Sequence, residues 1–240
     1  MNNLEACLTP AIFSEYEDGE AIIVIIDTLR ASSAICWALH NGAEKLIPVA
    51  TVEEASKFKK SGYMVAAERD GLVLDFADFG NSPFNFTAQL VEGKTIVYST
   101  TNGTRCINLA SKCYHVVIGS FLNISAIERW LVKSDRNVIL LCAGWRNRIN
   151  IEDSLFAGAL AKRLLDSGRY ETKCDSVKIV LDMWEKAGDN LLGYIEKAAQ
   201  RSRLRDKGLD DCIPFCHTPD STDVIPILSN GSLVKLDQIN

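Results

Sequence analysis

Ala21-Ile22-Ile23-Val24-Ile25-Ile26, followed at once by Asp27-Thr28-Leu29-Arg30-Ala31-Ser32-Ser33, is the stretch from which the fold is read. An apolar run without alternation is what a strand buried on both faces shows. The polar turn leads into a helical stretch, Ala31–His40, closed by Asn41-Gly42. The same strand–helix order repeats outward. Leu46–Val49 is a short strand. Thr51-Val52-Glu53-Glu54 is a capping box that opens a helix to about Lys60, stopped by Gly62. Tyr63–Ala67, Thr95–Ser99, Tyr114–Ile118 and Asn137–Cys142 read as further strands, with helices near Thr104–Ser111 and Asn123–Lys133. Glu68–Gly80 lacks periodicity and reads as a long loop. Asp153–Asp166 is a helix rich in small residues (Ala157, Gly158, Ala159, Ala161), suited to close packing on a sheet. Past Ser176 the chain turns helical and charged to about Arg205. Asp211–Cys216 is expected to be a strand, and Val224–Leu236 a hairpin turning at Asn230-Gly231. Alternating strands and helices predict an α/β fold with a largely parallel sheet covered on both faces. No linker interrupts the pattern, so residues 1–240 are expected to form a single domain.

Composition narrows the function. The 240 residues carry 26 Lys+Arg against 31 Asp+Glu, a formal charge of −5, which argues against a general nucleic-acid-binding face. Hydrophobic content of 47% with 24% charged residues excludes disorder. No apolar run reaches the ~18 residues of a membrane span. Met1-Asn2-Asn3-Leu4-Glu5 lacks the basic and apolar segments of an export signal, so a cytoplasmic protein with no membrane partner is expected. In that setting the eight cysteines read as reduced thiols. Cys212, Cys216 and His217 have no second pair to close a zinc site. Oligomeric state is left open, since Val224–Leu228 could pair as an edge or cover the core.

In open parallel sheets, ligands bind beyond the carboxyl ends of the strands. What gathers there is Asp27–Ser33, Glu68-Arg69-Asp70-Gly71, Ser99-Thr100-Thr101-Asn102-Gly103-Thr104-Arg105, Gly119-Ser120 and Cys142-Ala143-Gly144-Trp145-Arg146-Asn147-Arg148. Asp27 and Glu68 are hard oxygen ligands suited to Mg²⁺. Arg30, Arg69, Arg105, Arg146 and Arg148 offer planar forks for phosphate, carboxylate or sulfonate. Ser, Thr, Asn and Gly before helix starts add hydroxyl and backbone N–H donors. Together they read as a site for a small polyanion held with a divalent cation. Taken singly, each has a plainer reading. Asp27 could cap its helix, Asn102-Gly103 could be an ordinary turn, Asn81-Ser82-Pro83 is a cap with proline at the first helical position, and Glu152-Asp153 suits a helix N-terminus.

Sharper motifs fail. Asp27 lacks the second Asp two residues on that a haloacid-dehalogenase-type phosphatase needs, because that position is Leu29. Cys142 to Arg148 fits the C-x5-R loop of cysteine phosphatases, but eight Cys and twelve Arg make such a spacing easy to reach by chance. It is kept as an alternative. No G-x-S-x-G, P-loop or G-x-G-x-x-G is present.

Taken in order, Asp27–Ser33, Glu68-Arg69, Gly80-Asn81-Ser82-Pro83, Ser99–Thr104, Cys142-Ala143-Gly144 and Glu152-Asp153 with Ala157-Gly158-Ala159 resemble the 2-phosphosulfolactate phosphatase family of coenzyme M biosynthesis, over nearly the whole chain. Trp145-Arg146-Asn147-Arg148 is bulkier and more basic than the family pattern. The resemblance implies a three-layer α/β/α phosphatase, dependent on Mg²⁺, that hydrolyses (R)-2-phospho-3-sulfolactate to 3-sulfolactate and phosphate. On this expectation Asp27, Glu68 and Asp153 are assigned as catalytic residues, with Asp27 and Glu68 as metal ligands and Asp153 the best-placed remaining carboxylate. Arg30, Ser32, Ser33, Arg69, Asn81, Ser82, Thr100, Thr101, Asn102, Gly103 and Gly144 become the substrate-binding set. Whether Asp27 attacks phosphorus or only holds the cation is open. The competing class is a non-catalytic polyanion-binding protein on the same scaffold.

Overall fold

The computed structural model describes residues 1–16 and 18–239. In chain order its elements begin β1 (Asn2–Cys7), β2 (Ile22–Ile26), α1 (Ala31–His40), β3 (Lys45–Pro48), α2 (Val52–Lys60), β4 (Met64–Arg69), β5 (Leu72–Val73), α3 (Ala88–Val91), β6 (Thr95–Ser99), α4 (Gly103–Leu109) and β7 (His115–Gly119). They continue with α5 (Ile124–Ser134), β8 (Val138–Cys142), α6 (Ile151–Asp166), β9 (Tyr170–Glu171), α7 (Asp175–Ala187), α8 (Leu191–Ile195), α9 (Ala199–Asp206), α10 (Ile213–Cys216), β10 (Pro226–Ser229) and β11 (Ser232–Lys235).

The apolar run that opened the sequence is fully buried because both of its faces are covered. Ile23 and Ile25 point into one core with Ala34 and Ile35 of α1 and Ile107 of α4. Ile22, Val24 and Ile26 point into the other, with Ile127 of α5, Leu160 of α6 and Val180 of α7. Three layers result, helices on either side of one sheet. Its strand order is β5-β4-β6-β3-β11-β10-β7-β2-β8-β1-β9. β7, β2, β8, β1 and β9 pair in parallel, as do β3, β6 and β4. The β10–β11 hairpin joins the two groups through single antiparallel pairs, Ile227↔Val117 and Leu233↔Leu46. Of Val224–Leu228, residues Pro226–Leu228 therefore lie inside the sheet, with Ile227 buried, and form no free edge.

Local signals hold where they are strong. Thr51 Oγ1 accepts from the Glu54 amide at 3.1 Å and Glu54 Oε2 accepts from the Thr51 amide at 3.2 Å, closing the predicted capping box. Asn230 and Gly231 turn the hairpin with positive φ, as a two-residue turn requires. Three readings change. Asp211–Cys216 is not a strand: Pro214 opens the helical turn α10, and Cys212, Ile213 and Cys216 all bury on one small cluster at helical spacing. The small residues of α6 serve a helix as well as the sheet, since a Cβ on Gly158 would meet Val180 O of α7 at 2.2 Å. The supposed loop after Glu68 holds a second hairpin, with β5 pairing back on β4 around Asp70-Gly71. β1, which the sequence reading passed over, pairs with β8 and buries Leu4 and Ala6. Among the described residues no helix is long and apolar enough to cross a membrane, and no disulfide joins any of the cysteines.

Candidate active site

The turn after β2 is built by its own side chains. The Asp27 amide donates to Ser32 Oγ at 2.8 Å, the Ser32 amide donates to Asp27 O at 2.8 Å, and Asp27 Oδ1 accepts from the Ala31 amide at 3.4 Å. Asp27 is thus held where α1 begins, with its other oxygen facing α4. A Cβ on Gly103 would come within 2.9 Å of Asp27 Oδ2, so a side chain at the start of α4 would displace the Asp27 carboxylate.

Glu68 is fixed from two strand ends. Its Oε1 accepts from the Thr101 amide (2.9 Å) and hydroxyl (3.2 Å), and Oε2 accepts from the Gly71 amide of the β4–β5 turn (2.5 Å). Asp27, Glu68, Arg30, Asn81, Asn102 and Gly71 line one narrow crevice. The Arg30 guanidinium, buried, makes a single long bond, from Nη2 to Gly71 O at 3.4 Å. The Asn81 side-chain oxygen is buried with no partner. An adjoining outer cavity of about 250 Å³ shares Arg30, Gly71 and Asn81 and adds Ser82.

Other residues of the expected set lie close by, but their polar atoms are occupied. Asp153 Oδ1 accepts from the Thr28 amide (2.8 Å) and Oδ2 from the Gly144 amide (3.0 Å), tying the ends of β2 and β8 to α6. Gly144 has φ +59, and a Cβ there would strike Arg148 O. Ser33 Oγ sits 3.0 Å from Ser120 Oγ, and Thr100 and Thr104 bond each other across the start of α4. Arg69 turns away from the crevice, donating to Glu68 O (2.6 Å) and Ser99 Oγ (3.0 Å). Arg105 and Arg146 are exposed, on Asn147 and Asp70, and Arg148 is exposed as well.

The neighbour of Asp153 is the residue the sequence reading set aside. Glu152 is wholly buried and neither carboxylate oxygen has a partner. Burial pushes it up to about 7, against its own backbone amide, the charge of Arg203 and the Ile151 amide, with Asp27 adding to the rise. Burial and the adjacent Glu152 hold Asp153 at about 7 too, against its two backbone donors. Asp27 is raised well above the carboxylate range, first by burial, then by the charges of Asp153 and Glu68. Such a cluster of strained carboxylates marks functional sites. Trp145, Gln200 and Leu204 complete the crevice wall and were also missed. For the last two the usable signal was Gln200–Arg203–Leu204, one helical face in an otherwise charged segment.

The fold brings two buried carboxylates, Asp27 and Glu68, and the buried Arg30 to one crevice at the strand ends of an α/β/α scaffold. Comparison with known proteins makes the second step. The family model described as 2-phosphosulpholactate phosphatase matches residues 7–231, and the chain belongs to that family. Relatives named probable 2-phosphosulfolactate phosphatase include one from Caldanaerobacter subterraneus subsp. tengcongensis, 36% identical over 91% of this chain and 92% of its own. Others come from Clostridium perfringens, 34% identical over 94% and 95%, and from Thermotoga maritima, 37% identical over 88% and 90%. The family is one of phosphoric monoester hydrolases.

Proposed function

We propose that this chain hydrolyses the phosphate ester of a 2-phospho-2-hydroxy acid, with 2-phosphosulfolactate the substrate to which its relatives' names point, and that it does so with Mg²⁺. The observation that carries the reading is the charge balance of the crevice. Asp27, Glu68, Glu152 and Asp153 are buried together, and Arg30 is the buried cation among them. Burial and mutual repulsion raise three of these carboxyls, so they would ionise together, and a polyanionic ester bind beside them, only if a second cation joined the set.

The donor set fits such an ion. A carboxylate offers about four acceptor positions. Glu68 spends three on its bonds to Thr101 and Gly71, and Asp27 faces the crevice with bonds to the start of α1 and α4. Among the described residues no three His, Cys, Asp or Glu form a metal-holding group, which suits an ion that takes one or two carboxylates and leaves the rest to water and phosphate. Mg²⁺ held by Asp27 and Glu68 would neutralise charge on the phosphoryl oxygens. Arg30 would bind an anionic arm by its unspent donors, and the Asn102 and Asn81 amides would orient the ester.

The cysteine alternative is the weaker one. Cys142 is buried in β8, and its thiol is held well above the usual range by burial, with Asp153 adding to it. Most of the amides that would cradle a phosphate are already spent. Ala143 donates to Ile26 O, Gly144 to Asp153, and Trp145 and Arg148 to each other.

The test is phosphate release from phosphoglycolate, 2-phospholactate and 2-phosphosulfolactate. Release is expected to be fastest from the last, to stop in EDTA and to return with Mg²⁺. Release that survives EDTA but is abolished in Cys142→Ser would overturn the assignment. Binding without release would leave the non-catalytic reading.

A further inference from the structure

The crevice is roofed. Gln200 and Leu204 of α9 and Trp145 of the β8–α6 loop line it, and its cavity is about 20 Å³. That is room for one or two waters at roughly 10–15 Å³ each. A phosphorylated three-carbon acid bearing carboxylate and sulfonate does not fit, so the roof must lift to admit it. α9 is lightly attached. Leu204 is its one buried side chain, Gln200 Nε2 reaches Leu29 O at 3.3 Å, and just beyond the helix Lys207 Nζ donates to Asp70 O. The outer 250 Å³ cavity meets Gly208 and Leu209 at the end of this segment and shares Arg30, Gly71 and Asn81 with the crevice. Lifting α9 would open the crevice toward it.

Arg203 sits on the same helix, outside the lining of both cavities and against two residues of the crevice wall. Its guanidinium lies 4.5 Å from the Trp145 ring, and Nε donates to Gln200 Oε1 at 2.8 Å. Neither Nη has a hydrogen-bond partner. Its charged neighbours are Glu152, whose two oxygens are equally unpartnered, Asp70 and Arg146. An arginine stacked and oriented but with its fork unspent is prepared for an anion.

We propose that α9 is a lid and that Arg203 is a specificity residue, binding the substrate's anionic arm distal to the phosphate once the lid closes. This rests on reading the chain as a phosphatase of a polyanionic ester. In Arg203→Met, the kcat/KM ratio of 2-phosphosulfolactate to 2-phospholactate is expected to fall at least tenfold, mostly through KM, with Arg203→Lys falling less. A second measurement is independent of turnover. Trypsin cutting within residues 201–207 of the wild type, with Mg²⁺ present, should slow when 3-sulfolactate is added, and Arg203→Met should lose that protection at its remaining sites. Equal losses on both esters, an unchanged ratio, or cutting that ignores 3-sulfolactate would overturn the proposal. If the wild type releases phosphate from neither ester, the phosphatase reading fails. The trypsin comparison then still decides whether Arg203 closes a lid on the sulfonate.

Discussion

Glu152→Gln should make this protein more stable, and by an amount that depends on pH. Glu152 has an ordinary value of 4.5 and is raised to about 7 in the fold, with burial the first cause. An acid whose folded value is raised adds stability that is complete below its unfolded value and disappears as pH climbs through the folded one. At pH 4 the carboxyl is protonated in both states, so glutamine in its place changes little. Between about 4.5 and 7 the unfolded chain sheds the proton first, and above 7 the folded wild type carries a buried charge with no partner. At ~1.4 kcal/mol per tenfold, the span from 4.5 to about 7 corresponds to roughly 3 kcal/mol. For a chain of this size that is roughly 6–12 °C in Tm. The assay is urea or thermal unfolding of both proteins at pH 4 and pH 8, in EDTA so that no cation relieves the charge. A gap between the two proteins that widens by about that amount confirms the reasoning. A gap of the same size at both pH values, or a variant less stable at pH 8, would refute it, because Glu152 would then have a partner or solvent. Stability gained at a residue in this position is what a site held under electrostatic strain shows.

Two glycines make further tests. Gly103→Ala would set a Cβ 2.9 Å from both Asp27 Oδ2 and Ala31 Cβ, so the Asp27 carboxylate must move. Phosphate release should fall more than tenfold while urea unfolding shows a loss of only about 1–2 kcal/mol. Gly158→Ala meets backbone rather than a side chain, Val180 O at 2.2 Å, and should cost about 3 kcal/mol by forcing α6 and α7 apart, read from the shift of the urea midpoint.

What was legible in the sequence was what local chemistry decides. Ile22–Ile26 announces a strand with two covered faces, Thr51–Glu54 a helix start and Asn230-Gly231 a hairpin, and each rests on residues adjacent in the chain. The hairpin's place between β3 and β7 does not, since it depends on pairings such as Leu233↔Leu46 across most of the chain. The same division runs through the site. Asp27, Glu68, Arg30, Asn81 and Asn102 follow strand ends or open helices, and the fold brings them to one crevice. At Glu152-Asp153 the sequence reading favoured the second residue. Both acids suit the first turn of a helix, and only the fold shows that Asp153 is consumed by the Thr28 and Gly144 amides while Glu152 is left bare.

The arginines carry the argument one step further. Five follow strand ends, which suggested a dense positive site inside an acidic protein. In the fold that density disperses. Arg69 braces Glu68 O and Ser99, Arg105, Arg146 and Arg148 face solvent, and Arg30 alone of the five lines the crevice. A polyanion arriving there meets more buried carboxylates than guanidinium groups. Binding then has to draw positive charge from outside the strand-end motifs, and the proposal supplies it twice, as an ion between Asp27 and Glu68 and as Arg203 descending with α9. Arg203 already stacks on Trp145 in the closed arrangement, so the affinity for a polyanion depends on ion and lid together, and removing either should weaken binding by more than the loss of one contact would.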